Sequence, residues 1–248
     1  MVNLRSRVTR LGVLDIGSNT IHMLIVDAAP GARPDPEAST KSTVRLMQYV
    51  KDDGSIKKSG IEAILTAVDQ CMELAEEYDI TQLLAMATSA IKEAPNSNKI
   101  LRKIEERIGQ SVTVLSGTDE ARLTFLAARR VPQIQASGAC RGTSKTFRSL
   151  ARLAGAVLRQ SGREDTWIMT REQLEDWIPR LAAIEPEQRV ALPGITPERT
   201  MQIVGGGIVA DEIMRSLNVH EVEICPWALR EGAILRWLDQ FGRTRLGF

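Results

Sequence analysis

Leu11-Gly12-Val13-Leu14-Asp15-Ile16-Gly17-Ser18-Asn19-Thr20-Ile21-His22-Met23-Leu24-Ile25-Val26-Asp27 is the stretch that decides how the chain folds. Leu11–Ile16 is an apolar run ending around Asp15 and Gly17, the pattern of a buried strand. Thr20–Val26, β-branched and apolar, reads as a second strand. The tight turn Gly17-Ser18-Asn19 joins them, so the pair is an antiparallel hairpin and not the opening of a βαβ unit. The turn also has the chemistry of an anion site. Gly17 lets backbone pass close to a ligand without a Cβ in the way, and successive N–H groups there can point at phosphate oxygens. Ser18, Asn19 and Thr20 add side-chain donors, and Asp15 can reach a divalent metal or its water. An ordinary hairpin turn accounts for the same residues, since Gly, Ser and Asn are common turn formers.

Outward from the hairpin, Thr43–Val50 reads as a third strand and Asp52-Asp53-Gly54-Ser55 as a turn. Lys57–Tyr78 is an amphipathic helix with Ile61, Ile64, Leu65, Val68, Met72 and Ala75 on one face. Leu83–Ala87 and Val112–Leu115 read as short strands, and Ser97–Ile108 and Thr118–Arg130 as helices. The first half therefore runs βββαβαβα, one complete α/β unit. Val131–Gly142 has the look of a linker. Beyond it the pattern is helix-rich: Ser144–Arg159, Arg171–Ile184, Pro197–Leu217 (broken around Gly205-Gly206-Gly207) and Ala228–Gln240, with one strand at Val219–Ile224. The expected domains are 1–130, a linker 131–142, and 143–248.

Four further segments carry possible chemistry. Ala87-Thr88-Ser89-Ala90-Ile91-Lys92 follows a strand end, where ligands sit in open α/β sheets, with Lys92 as a cation; a solvated strand-to-helix loop is the plainer reading. Asp119 and Glu120 open a helix, suited either to base catalysis or to complementing the helix dipole. Gly142-Thr143-Ser144-Lys145 places a glycine, hydroxyls and a cation at a helix start, which suits an anion but lacks the Walker A spacing. Gly205–Gly207 and Ala228-Leu229-Arg230-Glu231-Gly232 are close-packing or ligand-edge features.

Composition narrows the partners. Against 32 Lys and Arg stand 31 Asp and Glu, a net charge of +1 that argues against wholesale nucleic-acid or membrane binding. Cys71, Cys140 and Cys225 have no zinc-ligand spacing and read as reduced thiols of a cytoplasmic protein. No apolar run is long enough for a membrane span. His22 and His220 read as structural.

Taken together and in order, Leu-Asp-Ile-Gly-Ser-Asn-Thr (14–20), Ala-Thr-Ser-Ala-Ile-Lys-Glu-Ala-Pro-Asn (87–96), Leu-Ser-Gly-Thr-Asp-Glu-Ala-Arg-Leu-Thr-Phe (115–125) and Cys-Pro-Trp-Ala-Leu-Arg-Glu-Gly (225–232) resemble the exopolyphosphatase / guanosine pentaphosphate phosphatase family. Gly142–Leu153 is similar to its short actinobacterial members. The resemblance implies an actin-like ATPase (ribonuclease H-like) fold. It also implies Mg²⁺-assisted release of terminal phosphate from inorganic polyphosphate, or conversion of guanosine pentaphosphate to the tetraphosphate, and a possible homodimer. By position it makes Asp15, Gly17, Ser18, Asn19 and Thr20 the first phosphate loop, with Asp15 at the metal. Glu120 becomes the general base, with Asp119 as the alternative one residue away, and Gly142, Thr143, Ser144 and Lys145 become a phosphate-facing loop of the second domain. Lys92 stands where the family has an arginine. The family's second phosphate loop, Asp-Ile-Gly-Gly-Gly-Ser, has no counterpart after Arg130, which implies a large internal deletion. A truncated second domain lacking a sheet of its own is then expected, packed on the first or poorly ordered, in a homologue impaired in catalysis.

Overall fold

The computed structural model describes residues 8–30, 32–131, 140–161 and 164–246, with the backbone alone for 89–90, 157–166 and 241–246. By contact the chain divides into two units, residues 1–123 with 229–248, and residues 124–228. The second break differs from the expected boundaries, because the last helix belongs with the first unit. Most of the expected linker, 132–139, lies outside the described residues.

In the first unit, β1 (Thr9–Ile16) and β2 (Thr20–Ala28) form the expected hairpin, with Leu14 opposite Met23 and Asp15 opposite His22. The third strand, β3 (Pro36–Thr43), precedes the expected Thr43–Val50. Its sequence, Pro-Glu-Ala-Ser-Thr-Lys-Ser-Thr, is polar because it is an edge strand with little to bury; Leu46–Tyr49 is a 3-10 turn instead. Then come α1 (Lys58–Glu77), β4 (Gln82–Ala87), α2 (Ser89–Glu93), α3 (Ser97–Ile108), β5 (Thr113–Val114) and α4 (Gly117–Arg130). The sheet order is β3-β2-β1-β4-β5, and β1, β4 and β5 are parallel.

Both faces of this sheet are covered, which is why β1 and β2 read as continuous apolar runs. Alternation sends Leu14, Ile16, Ile21, Met23 and Ile25 to one face, against Ile64, Val68, Ile100 and Ile104 of α1 and α3. It sends Leu11, Val13, Leu24 and Val26 to the other, against Leu123 of α4 and Ala233 and Ile234 of α8 (Leu229–Leu246). Each such fully buried Leu or Ile contributes about 1.5–3 kcal/mol. Gly232 is what lets α8 lie this close: a Cβ there would overlap the backbone of Leu123. The Ala-Leu-Arg-Glu-Gly glycine is a packing residue.

The second unit corrects the expectation of helices without a sheet. Among the described residues it has a sheet of four strands in the order β6-β9-β8-β7: β6 (Arg141–Gly142) parallel to β9 (Glu221–Ile224), then β8 (Glu164–Thr170) and β7 (Val157–Ser161), both antiparallel neighbours. The expected helix Ser144–Arg159 is α5 (Lys145–Leu153) only. Gly155, at φ 66°, ends it in the left-handed conformation and the chain turns into β7. Leu150, Leu153, Met169, Leu174, Leu181, Met214 and Val222 make a separate core with α6 (Arg171–Ala183) and α7 (Ile203–Ser216). The glycine triplet does not break α7. Gly206 and Gly207 let it approach its neighbours, where a Cβ would come within 2.6 Å of Thr146 Cγ2 and 3.1 Å of Ile178 Cγ1.

Candidate functional site

The parallel pairing brings three loops to one sheet edge. Ile16 at the end of β1 lies beside Ala87 at the end of β4, and Ala87 beside Val114 of β5. The loops that follow are the Gly17–Asn19 turn, Thr88 with α2, and Ser116 at the head of α4. This is the carboxyl edge, where open α/β sheets bind ligands.

The first turn is held from behind. Ser18 C=O accepts from Leu46 N–H at 2.8 Å, and Asn19 C=O from Val44 and Arg45 N–H at 3.0 and 3.1 Å. Peptide planarity then turns the N–H groups of Asn19 and Thr20 the opposite way. Gly17 N–H closes the turn onto Thr20 C=O at 3.0 Å, and a Cβ on Gly17 would sit 3.1 Å from that oxygen. Ser18 is exposed.

Asp15, the last polar residue of β1, is on the α4 and α8 face by the same alternation that buries Leu11 and Val13 there. Burial pushes its carboxyl up to about 6; the neighbouring Glu120 and Glu231 push the same way, and Arg230 opposes them. His22, opposite Asp15 in the ladder, meets the Arg230 guanidinium. Its imidazole is pulled down to about 4, by burial first and then by Arg230 and Lys41, so it is neutral and accepts from the guanidinium.

At the head of α4 the two adjacent acids separate in role. Asp119 forms a reciprocal cap with Ser116: it accepts from Ser116 N–H at 3.1 Å and from its hydroxyl, and its own N–H donates to Ser116 Oγ at 3.1 Å. Those bonds hold its carboxyl below the usual range. Glu120 has no such commitment, and burial raises its pKa. Lys92 is exposed, in the last turn of α2. Asn96, from the same motif, is structural: it bridges both backbone groups of Ile56 at 3.0 and 2.9 Å.

Gly142, Thr143, Ser144 and Lys145 lie in the second unit. Gly142 is buried in β6 beneath the Phe147 ring, 2.7 Å from where a Cβ would stand. Ser144 caps α5 by accepting from Phe147 N–H at 3.1 Å. Arg148 and Arg199 crowd the same helix start: Arg199 donates to Thr146 Oγ1 at 3.1 Å, and burial and Arg148 lower its pKa.

Sequence reading missed the roles of Arg230, Glu231 and His22. Alternation along Thr20–Val26 places His22 on the Asp15 face, but no spacing connects residue 15 with residue 230. Among the described residues no cluster of three His, Cys, Asp or Glu side chains has the geometry of a metal centre. None of their helices is long and apolar enough to cross a membrane. A cavity of about 330 Å³ in the first unit, walled by Leu84, Met86, Leu123 and Trp237 among others, does not include the acidic cluster.

An actin-like ATPase-fold protein with a glycine turn and a carboxylate pair at the edge of its first sheet is the class these features define. Within that class, the chain belongs to the Ppx/GppA phosphatase family, whose sequence profile matches residues 24–138 and 128–241. It is 34% identical to Exopolyphosphatase 1 of Mycobacterium tuberculosis (strain ATCC 25618 / H37Rv), over 93% of this chain and 88% of that one. It is 34% identical to Exopolyphosphatase 1 of Mycobacterium leprae (strain TN), over 93% and 90%. Both alignments run over 304 positions, more than the 248 residues present, so these relatives carry positions that this chain lacks. The fold matches the crystal structure of an exopolyphosphatase from Cytophaga hutchinsonii with a TM-score of 0.78 at 18% identity, over 94% of this chain and 98% of that one. It matches the Aquifex aeolicus Ppx/GppA family member with a TM-score of 0.77 at 17% identity, over 94% and 99%.

Proposed function

We propose that this chain is a hydrolase that releases terminal phosphate from inorganic polyphosphate, with Glu120 as the base that activates the attacking water. The observation that carries this is the separation of the two adjacent acids: Asp119 is committed to its cap, and Glu120 remains within the electrostatic reach of Asp15 beside the phosphate turn. A base must be deprotonated yet basic enough to take a proton from water, and burial moves Glu120 in that direction. The N–H groups of Asn19 and Thr20 and the Ser18 and Thr20 hydroxyls bind the terminal phosphate, and Lys92 supplies a positive charge. Phosphoryl transfer depends chiefly on positioning and charge neutralisation.

Mg²⁺ fits this donor set. It usually takes only one or two carboxylates, and substrate phosphates and water fill the remaining positions. Asp15 is one such carboxylate, in a site whose excess of negative charge a cation relieves. An ion held by Asp15 would supply neutralisation of the phosphate's charge.

A second reading, binding without turnover, is favoured by one observation. The family profile matches in two pieces that meet at residues 128–138, where the second phosphate loop is absent from the sequence. One assay separates the two: phosphate release from long-chain polyphosphate with Mg²⁺, measured for the wild type and Glu120→Gln. Release lost in the variant supports the hydrolase. Equal background from both refutes it, and polyphosphate retention without release, abolished by salt, supports the binder. Competition by guanosine pentaphosphate tests the alternative substrate.

A further inference from the structure

The cavity of about 330 Å³ in the first unit exists because β5 is short, two residues against the six of β4. The inner side of β4 pairs with β1 along its whole length. Among the described residues, its outer side pairs only at Met86 and Ala87. Gln82–Ala85 therefore present a strand edge to a gap where a longer β5 would run. Leu83 and Ala85 send their side chains to the opposite core, so it is chiefly their main chain that faces the gap. A side chain already answers one group of that edge: Gln110 Nε2 donates to Leu83 C=O at 2.9 Å.

The remaining walls divide by chemistry. The floor is apolar, made by Leu84 and Met86 of β4, Leu123 of α4 and Ala233 of α8. Trp237, one turn further along α8, adds an aromatic wall. The rim is polar: Ser111 and Thr113 stand on the β5 side and Arg236 on the α8 side, all exposed. Among the described residues Arg236 has no hydrogen bond and no ion pair; Asp119 lies within reach of its charge but takes its own bonds from Ser116.

An apolar floor with a few convergent polar groups is how small-molecule sites are built, and the volume falls at the lower end of their range of about 300–1,000 Å³. A peptide strand does not suit the gap, because Gln110 occupies the edge with which it would pair. We infer that this cavity binds a planar aromatic acid of two-ring size, with the ring against Trp237 and the carboxylate at Arg236. The flat ring covers Leu84 and Met86 and meets the indole. The planar guanidinium matches the carboxylate, and the Ser111 and Thr113 hydroxyls can donate to its polar edge. The site does not depend on the proposed hydrolytic activity.

Isothermal titration of the full chain with 2-naphthoate tests it. One molecule binds per chain, and excess ligand raises the Tm. Neutral 2-naphthamide, of the same shape, binds at least about tenfold more weakly, the scale of a hydrogen bond to a charged group. Arg236→Gln, at an exposed helix position, leaves circular dichroism unchanged and removes the preference for the acid over the amide. Thr113→Phe lies on the same face of its strand as Leu115, towards the cavity. An aromatic residue suits a strand, so the variant folds, fills the gap and abolishes binding of both compounds. Absence of saturable binding at millimolar 2-naphthoate overturns the inference. So does acid binding that is indifferent to Arg236→Gln or to Thr113→Phe.

Discussion

Replacing Asp15 by asparagine should stabilise the protein and abolish its activity, and the stabilisation should depend on pH in a defined way. The Asp15 carboxyl has an ordinary value of 3.8 and is raised to about 6 in the fold. In the unfolded chain it ionises near the ordinary value. Between those two values the folded state holds a proton that the unfolded state has lost, so stability falls as pH rises through the window. The difference of roughly two pK units is worth about 3 kcal/mol at 1.36 kcal/mol per unit. That contribution is fully present below the unfolded value and gone above the folded one. Asparagine keeps the shape without the charge, so Asp15→Asn gains up to about 3 kcal/mol over wild type at neutral pH. For a chain of this size the gain corresponds to a Tm higher by about 6–12 °C. Urea and thermal unfolding at a series of pH values, without divalent cations, measure it. The advantage of the variant should appear at neutral pH and disappear towards pH 4. An advantage of the same size at pH 4 and pH 8, or none at either, would falsify the assignment of Asp15 as a desolvated carboxylate. Added Mg²⁺ should raise the wild-type Tm and leave that of the variant unchanged.

Glu120→Gln should lower phosphate release by at least about a hundredfold, the scale of general base catalysis, while Asp119→Asn, which disturbs only a helix cap, stays within severalfold of wild type; the reverse ranking in a steady-state assay would exchange their roles. Lys92→Arg should lower the KM for polyphosphate severalfold, because a guanidinium grips phosphate with two parallel bonds where an ammonium is a point charge; an unchanged KM would remove residue 92 from the site. Gly232→Ala should destabilise the first unit by about 1–3 kcal/mol through overpacking against the Leu123 backbone, read as a lower urea midpoint; an unchanged midpoint would mean that α8 can shift outward without loss.

The first unit was legible because its strands are buried on both faces. Leu11–Ile16 and Thr20–Val26 carry uninterrupted apolar runs, and α1 and α3 carry an apolar stripe that matches the helical repeat. The misreadings occurred where burial is partial. β3 is an edge strand whose composition, Pro-Glu-Ala-Ser-Thr-Lys-Ser-Thr, has no apolar alternation, and the neighbouring Thr43–Val50 looked more strand-like because Val44 and Leu46 are buried for other reasons. β7 was absorbed into a helix because Ala151–Arg159 has acceptable helix formers on both sides of Gly155, whose positive φ is a property of the folded backbone. Within the site, the Asp15 turn and the acid pair at 119–120 were visible as motifs. Which acid is free was not, since the answer lies in the bonds of Ser116 to Asp119.

The site in the first unit is assembled from segments far apart in the sequence. Asp15 and the Gly17–Thr20 turn come from its first strand pair, Glu120 from the helix that leaves the unit, and Arg230 and Glu231 from the helix that re-enters it. Gly232 explains why the last contribution is in register: the tight approach of α8 to Leu123 fixes the helix one residue from Glu231 and two from Arg230. On the proposed reading, in which the family's second phosphate loop is absent, the first wall of the site stays in place. That is the physical reason to expect phosphate binding to survive the absence more readily than turnover: binding draws on the Gly17–Thr20 turn, which is intact, whereas stabilising the charge that develops on the transferred phosphoryl group needs donors on more than one side of it.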